Sequence, residues 1–155
     1  MSRKPLVAVV ILAAAIPAGL AGAASSQKYD ATLKGSSEVP KSSSKATGHA
    51  EFTIAPNGRS IRYEITAKGL TGPAQASHIH LGRPGQAGGV LISISTKPFS
   101  LPRAGRLTAK QFTAVGNVKT FAQAVRAMKA GRTYVNIHTM QFPAGEIRGQ
   151  VRPHD

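Results

Sequence analysis

From Tyr29 onward the chain alternates apolar and polar residues in short runs broken by glycine, proline and asparagine. This period of two places successive side chains on opposite faces of β-strands. Residues 29–33 alternate weakly and stop at Gly35. Residues 49–54 put Ala50, Phe52 and Ile54 on one face and His49, Glu51 and Thr53 on the other. Residues 59–67 return with Ile61, Tyr63 and Ile65 in step, so the Pro56-Asn57-Gly58 turn between the two runs predicts a hairpin. Further strands are expected over residues 75–81, 90–95, 133–139 and 146–151, and residues 106–115 form a mixed stretch leading to a turn at Gly116 and Asn117. Residues 38–47, with Pro40 and three consecutive serines, read as a polar loop, and the glycine-rich residues 82–89 read as a flexible connection. One segment breaks the period. Phe121, Val125 and Met128 recur at spacings of four and three, Thr120 can cap and Gly131 can terminate, which predicts a short helix near residues 120–130. About seven short strands with regular turns and one helix predict an all-β, antiparallel Greek-key sandwich or barrel, without internal repeats.

The N-terminus carries different information. Arg3 and Lys4 precede an apolar run from Leu6 to Leu20 that ends in Ala21, Gly22 and Ala23. That order of charge, apolar run and small residues predicts a signal peptide over residues 1–23, a linker over 24–28 and one domain over 29–152. A retained membrane anchor is the competing reading, because the run approaches the ~20 residues that span a bilayer. Pro17, Gly19 and Gly22 weaken such a helix, and no basic flank follows at once. Cleavage therefore predicts a secreted or periplasmic protein with no transmembrane segment left.

The chain holds 155 residues, which suits one small domain, and no cysteine. That excludes a disulfide scaffold, a thiolate metal site, a cysteine nucleophile and a lipoprotein anchor. Lys and Arg outnumber Asp and Glu by 20 to 6, giving a net charge of +14, which becomes +12 once Arg3 and Lys4 are removed. A field of that sign attracts polyanions, and outside the cytoplasm these are anionic envelope polymers, lipid head groups or released nucleic acid. No basic run exceeds two residues and aromatic residues are 5% of the chain, so specific nucleic-acid binding is not expected. A protein partner is the other expectation.

Four segments together resemble the CHRD, or chordin-type, domain family: Ala31-Thr32-Leu33-Lys34-Gly35 with Glu38-Val39-Pro40, then Ser77-His78-Ile79-His80-Leu81-Gly82, then residues 131–139 (GRTYVNIHT), and residues 143–150 (PAGEIRGQ). The resemblance covers residues 29–151 and implies an extracytoplasmic, immunoglobulin-like all-β domain, with no reaction attached. The sequence departs from the usual family pattern after His80, where Leu81-Gly82-Arg83-Pro84 puts a cation in the loop.

Candidate chemistry lies in the same segments. His78 and His80 share a strand face opposite Ile79, while Tyr134, Asn136 and His138 share the face opposite Val135 and Ile137. Pairing Thr139 with Gly145 sets His138 across from Glu146, Asn136 from Arg148 and Ile137 from Ile147, and a slip of one residue would mix polar with apolar. That register predicts a polar cross-strand face of Tyr134, Asn136, His138, Glu146 and Arg148. It also predicts that Glu146 favours protonated His138, a pair contributing roughly 0.2–1 kcal/mol. His78, His80 and His138 are alternatively a copper or zinc site, since imidazole suits both metals. The arrangement is similar to the paired-histidine strand and glycine loop of copper/zinc superoxide dismutases, but the chain lacks their disulfide and holds only Asp30 and Asp155 as aspartates. The same two aspartates sit too near the mature ends to orient a catalytic triad. Glu38, Glu51, Glu64 and Glu146 share no glycosidase motif. The expectation is a binding or envelope-associated module without cofactor or turnover, with metal binding through the histidines as the alternative.

Overall fold

A computed structural model describes residues 25–154; the expected signal peptide lies outside the described residues. The strands are β1 Gln27–Lys34, β2 Thr47–Ile54, β3 Ile61–Lys68, β4 Ala76–Leu81, β5 Val90–Ser95, β6 Arg103–Leu107, β7 Thr133–His138, β8 Ile147–Gln150 and β9 Arg152–Pro153, with one helix, α1, over Phe121–Lys129. The all-β expectation holds. β1 begins at Gln27, inside the segment read as a linker.

The strands join side by side in the order β5-β4-β7-β8-β1-β2-β3-β6, with β9 also paired to β1, and every pairing is antiparallel. The result is one curled, nearly closed sheet rather than two separate layers. The connections from β3 to β4 and from β5 to β6 cross between strands that are not neighbours. Near the β5 edge, residues after β6 fold back, with Phe112 bridged to Ile92 and Thr113 N–H donating to Leu91 O.

The hairpin of β2 and β3 forms in the register that the alternation requires, with Ala50 opposite Ile65, Phe52 opposite Tyr63 and Ile54 opposite Ile61. Gly58 supplies the left-handed backbone, φ 65°, at the end of its turn. The mixed stretch resolves into β6 and a short 3-10 turn over Ala109–Gln111. Helix α1 starts on Thr120, whose side chain accepts from Gln123 N–H while Gln123 reaches back to the Thr120 amide. It stops in a Schellman arrangement, with Gly131 at φ 65°, Gly131 N–H on Met128 O and Arg132 N–H on Ala127 O. Its Phe121, Val125 and Met128 join the core built by Leu33, Phe52, Ile65, Ile79, Val135, Ile137 and Ile147. Among the described residues no helix is long and apolar enough to cross a membrane.

Candidate metal centre

Strands β4 and β7 lie side by side with His78 opposite Asn136, His80 opposite Tyr134 and Ala76 opposite His138. Because β-strand side chains alternate, this register sends all three imidazoles to the face opposite Ile79, Val135 and Ile137, which are fully buried in the core. The three rings meet there. His78 Nδ1 is 3.1 Å from His138 Nε2, the ring centroids of His78 and His80 are 5.6 Å apart, and one nitrogen from each histidine falls within 4.8 Å of the others.

Two backbone carbonyls fix two of the rings. His138 Nδ1 donates to Pro143 O at 3.0 Å, and His80 Nδ1 donates to Gly88 O at 2.9 Å. Each bond assigns the proton to Nδ1, as carbonyl partners do for metal-bound imidazoles, and leaves the lone pair on Nε2, which faces Asn136 in His80 and His78 in His138. The side-chain oxygen of Asn136 is placed 3.1 Å from His80 Nε2. A neutral His80 ring carrying its proton on Nδ1 requires the amide nitrogen there instead, and the two carboxamide orientations have the same shape.

Burial and mutual proximity hold the cluster neutral. Burial first, then His138 and His80, push the His78 ring down to about 4. Burial also lowers His80, against the opposing effect of its Gly88 bond, and lowers His138 against its bond to Pro143. Neutral imidazole is the form that ligates metal.

The polar face is not a solvent face. Tyr134, Asn136 and Arg148 are buried beneath the 82–89 loop. Arg148 lies opposite Asn136 and Ile137 opposite Ile147, as the alternation predicts. Arg148 Nη2 donates to Arg83 O at 3.3 Å and Gln86 O at 2.7 Å, while its Cζ sits 3.3 Å over the Tyr134 ring. The other side of Tyr134 stacks on His80 at 4.8 Å and 5°. Gln150 Nε2 donates to Gly82 O, and the Tyr134 hydroxyl bonds Gly88. A side chain at Gly88 would run into the Leu81 carbonyl oxygen. The loop read as a flexible connection is therefore pinned at both ends and the middle, the buried Arg148 guanidinium donating to its carbonyls. Gly88 and Pro143 contribute through carbonyl oxygens, which side-chain patterns do not reveal.

The expected pair between Glu146 and His138 does not form. Glu146 precedes β8, outside its alternation, and its carboxylate accepts from Ser44 Oγ at 2.7 Å, Thr71 N at 2.9 Å, Thr71 Oγ1 at 2.8 Å and Thr139 Oγ1 at 2.6 Å. Burial raises the Glu146 carboxyl, but those donors together outweigh it and hold the group below the ordinary carboxylate value. Four donors leave nothing for an imidazole, and His138 is lowered instead of raised. His49 and His154 stand apart, paired with Glu51 and Asp30 at 3.6 Å each.

The CHRD domain family model matches residues 29–151. No curated protein and no solved structure shows a significant match to the chain.

Proposed function

As the chain belongs to the CHRD domain family, whose domains are typically extracellular, we propose that it is an extracytoplasmic binding module that holds one copper or zinc ion between His78, His80 and His138. The observation that carries this reading is the convergence of three imidazole nitrogens within 4.8 Å, two of the rings being oriented by carbonyls. Two nitrogens on one tetrahedral zinc at bond lengths of about 2.0–2.1 Å lie about 3.3 Å apart. The 3.1 Å separation of His78 and His138 is close to that, and a nitrogen of His80 lies within 4.8 Å of both. Three nitrogens on one ion leave a fourth position open.

The module works by capture rather than turnover. Of the acids, Glu146 is engaged with hydroxyls and an amide, and Asp30 and Glu51 with histidines remote from the cluster. Its excess of cations gives it a second class of ligand, anionic envelope polymers.

Calorimetric titration of the chelator-treated mature protein with zinc and with copper tests the metal reading. One equivalent is expected to bind with a Kd of ~1 μM or tighter, and His80→Ala and His138→Ala are each expected to weaken it by at least about 100-fold, more than loss of an outer partner does. Wild-type protein that takes up neither metal at ~100 μM, well short of any ordinary site affinity, overturns it.

A further inference from the structure

We infer that the cationic ground around the 82–89 loop is the docking surface for an acidic polysaccharide, an inference that rests on the polyanion reading and gives it a place. Three hollows lie there, of about 510, 320 and 430 Å³, the first meeting the others along the chain at Arg83-Pro84 and Gly131-Arg132. Arg83 and Arg132 wall the first, Lys41, Arg148 and Arg152 the second, and Lys129 and Arg152 the third. The second and third share Pro84, Gln150 and Arg152, so a chain crossing them meets one continuous surface. These cations come from the loop after β1, the 82–89 loop, the end of α1, the residue before β7, β8 and β9. They are scattered in sequence and gathered only by the fold.

Among the described residues the acids lie elsewhere. Asp30, Glu51 and Glu64 stand in register across β1, β2 and β3, and this row leads away from the cations, meeting them only where Asp30 lies opposite Arg152. Glu146 is buried under its own donors, and Glu38, the acid that lines the second hollow, is itself buried with Oε1 unpartnered. Among the described residues, positive charge from Lys41, Arg83, Lys129 and Arg152 thus faces solvent there with little local opposition, the condition under which a field attracts a polymer rather than a single counter-ion.

The shape of the surface selects the kind of polymer. No aromatic ring lines any of the three hollows, so nucleobases have no stacking platform. A uronic acid chain supplies repeated carboxylates for the cations and carries no base that needs a stacking platform.

The probe is polygalacturonate, bound to the full mature chain and followed from 50 to 300 mM salt. Affinity is expected to fall linearly on a log–log plot against salt. The combined variant Arg83→Gln, Lys129→Gln, Arg132→Gln, Arg152→Gln is expected to lose about 100-fold or more and to flatten that slope by roughly the number of charges removed. A control variant with the same charge loss on other elements, Arg59→Gln, Arg62→Gln, Lys97→Gln, Lys110→Gln, is expected to lose less than about 5-fold, reflecting only the long-range field. Unchanged zinc binding and melting temperature show that both variants fold. Equal losses in the two variants overturn the docking surface and leave diffuse attraction. Absence of wild-type binding at 50 mM salt overturns the polyanion reading itself. Tighter binding of an oligothymidylate of equal charge overturns the polysaccharide assignment.

Discussion

A carboxylate taken out of water must be given donors or keep its proton, and the two buried glutamates of this domain follow the two courses. Glu146 receives four donors from three segments that are distant in sequence. Replacing it by alanine strands those donors in the interior and is expected to cost about 2–4 kcal/mol at neutral pH, measured by urea unfolding. Its folded pKa lies below the unfolded value, so its contribution is complete above pH ~4.5 and is lost as the pH falls through the folded value. Glu38 behaves in the opposite sense. Burial pushes it up to about 7, with Arg148 and the Val39 amide opposing that rise only in part. The folded state then holds the Glu38 proton more tightly than the unfolded chain does. Stability is expected to decline as the pH rises from about 4.5 toward and through 7, by about 3 kcal/mol at most. Glu38→Gln, which stays neutral, is expected to remove that decline, as unfolding curves at pH 5 and pH 8 will read.

At the scale of elements, the 82–89 loop is organised from outside itself. Arg148 on β8 ties the loop carbonyls and stacks on Tyr134, and Tyr134 in turn stacks on His80. Lysine at position 148 keeps the charge but cannot reproduce a planar group that both stacks and donates to two carbonyls. Arg148→Lys is therefore expected to leave the sheet intact while weakening zinc binding about 10- to 100-fold, the usual cost of losing an outer partner of a metal ligand. The His80 ring nitrogen shifts should change with it, since the Gly88 bond loosens. The strands that carry the site were legible because period-two patterning is local: Ile79, Val135 and Ile137 had to face inward, so the histidines and Asn136 had to share the other side. The covering loop was not legible. Nothing within residues 82–89 discloses that an arginine more than sixty positions away will bind their carbonyls.

At the scale of the whole molecule, metal and fold are linked by mass action. A ligand that binds only the folded state at about 100 times its Kd adds about 2.7 kcal/mol. Saturating zinc is expected to raise the melting temperature of the wild-type chain and to leave that of the His78→Ala, His80→Ala double variant unchanged, as scanning calorimetry will show. The helix contributes to the same core through Met128, which is fully buried; Met128→Ala is expected to cost about 2–5 kcal/mol by cavity formation.

The amino-acid sequence by itself determined the strand class, the hairpin of β2 and β3, the capped helix and the pairing of Asn136 with Arg148, because each follows from patterns only a few residues long. It also determined the family, since the motifs that carry the resemblance are contiguous. Only the tertiary structure decided that Glu146 turns away from His138 to the hydroxyls of Ser44, Thr71 and Thr139, that the glycine loop is bound down, and that dispersed cations gather around it. Those outcomes depend on which distant donors and acceptors the closing of the sheet brings within bonding distance, and an alternation of two carries no record of that.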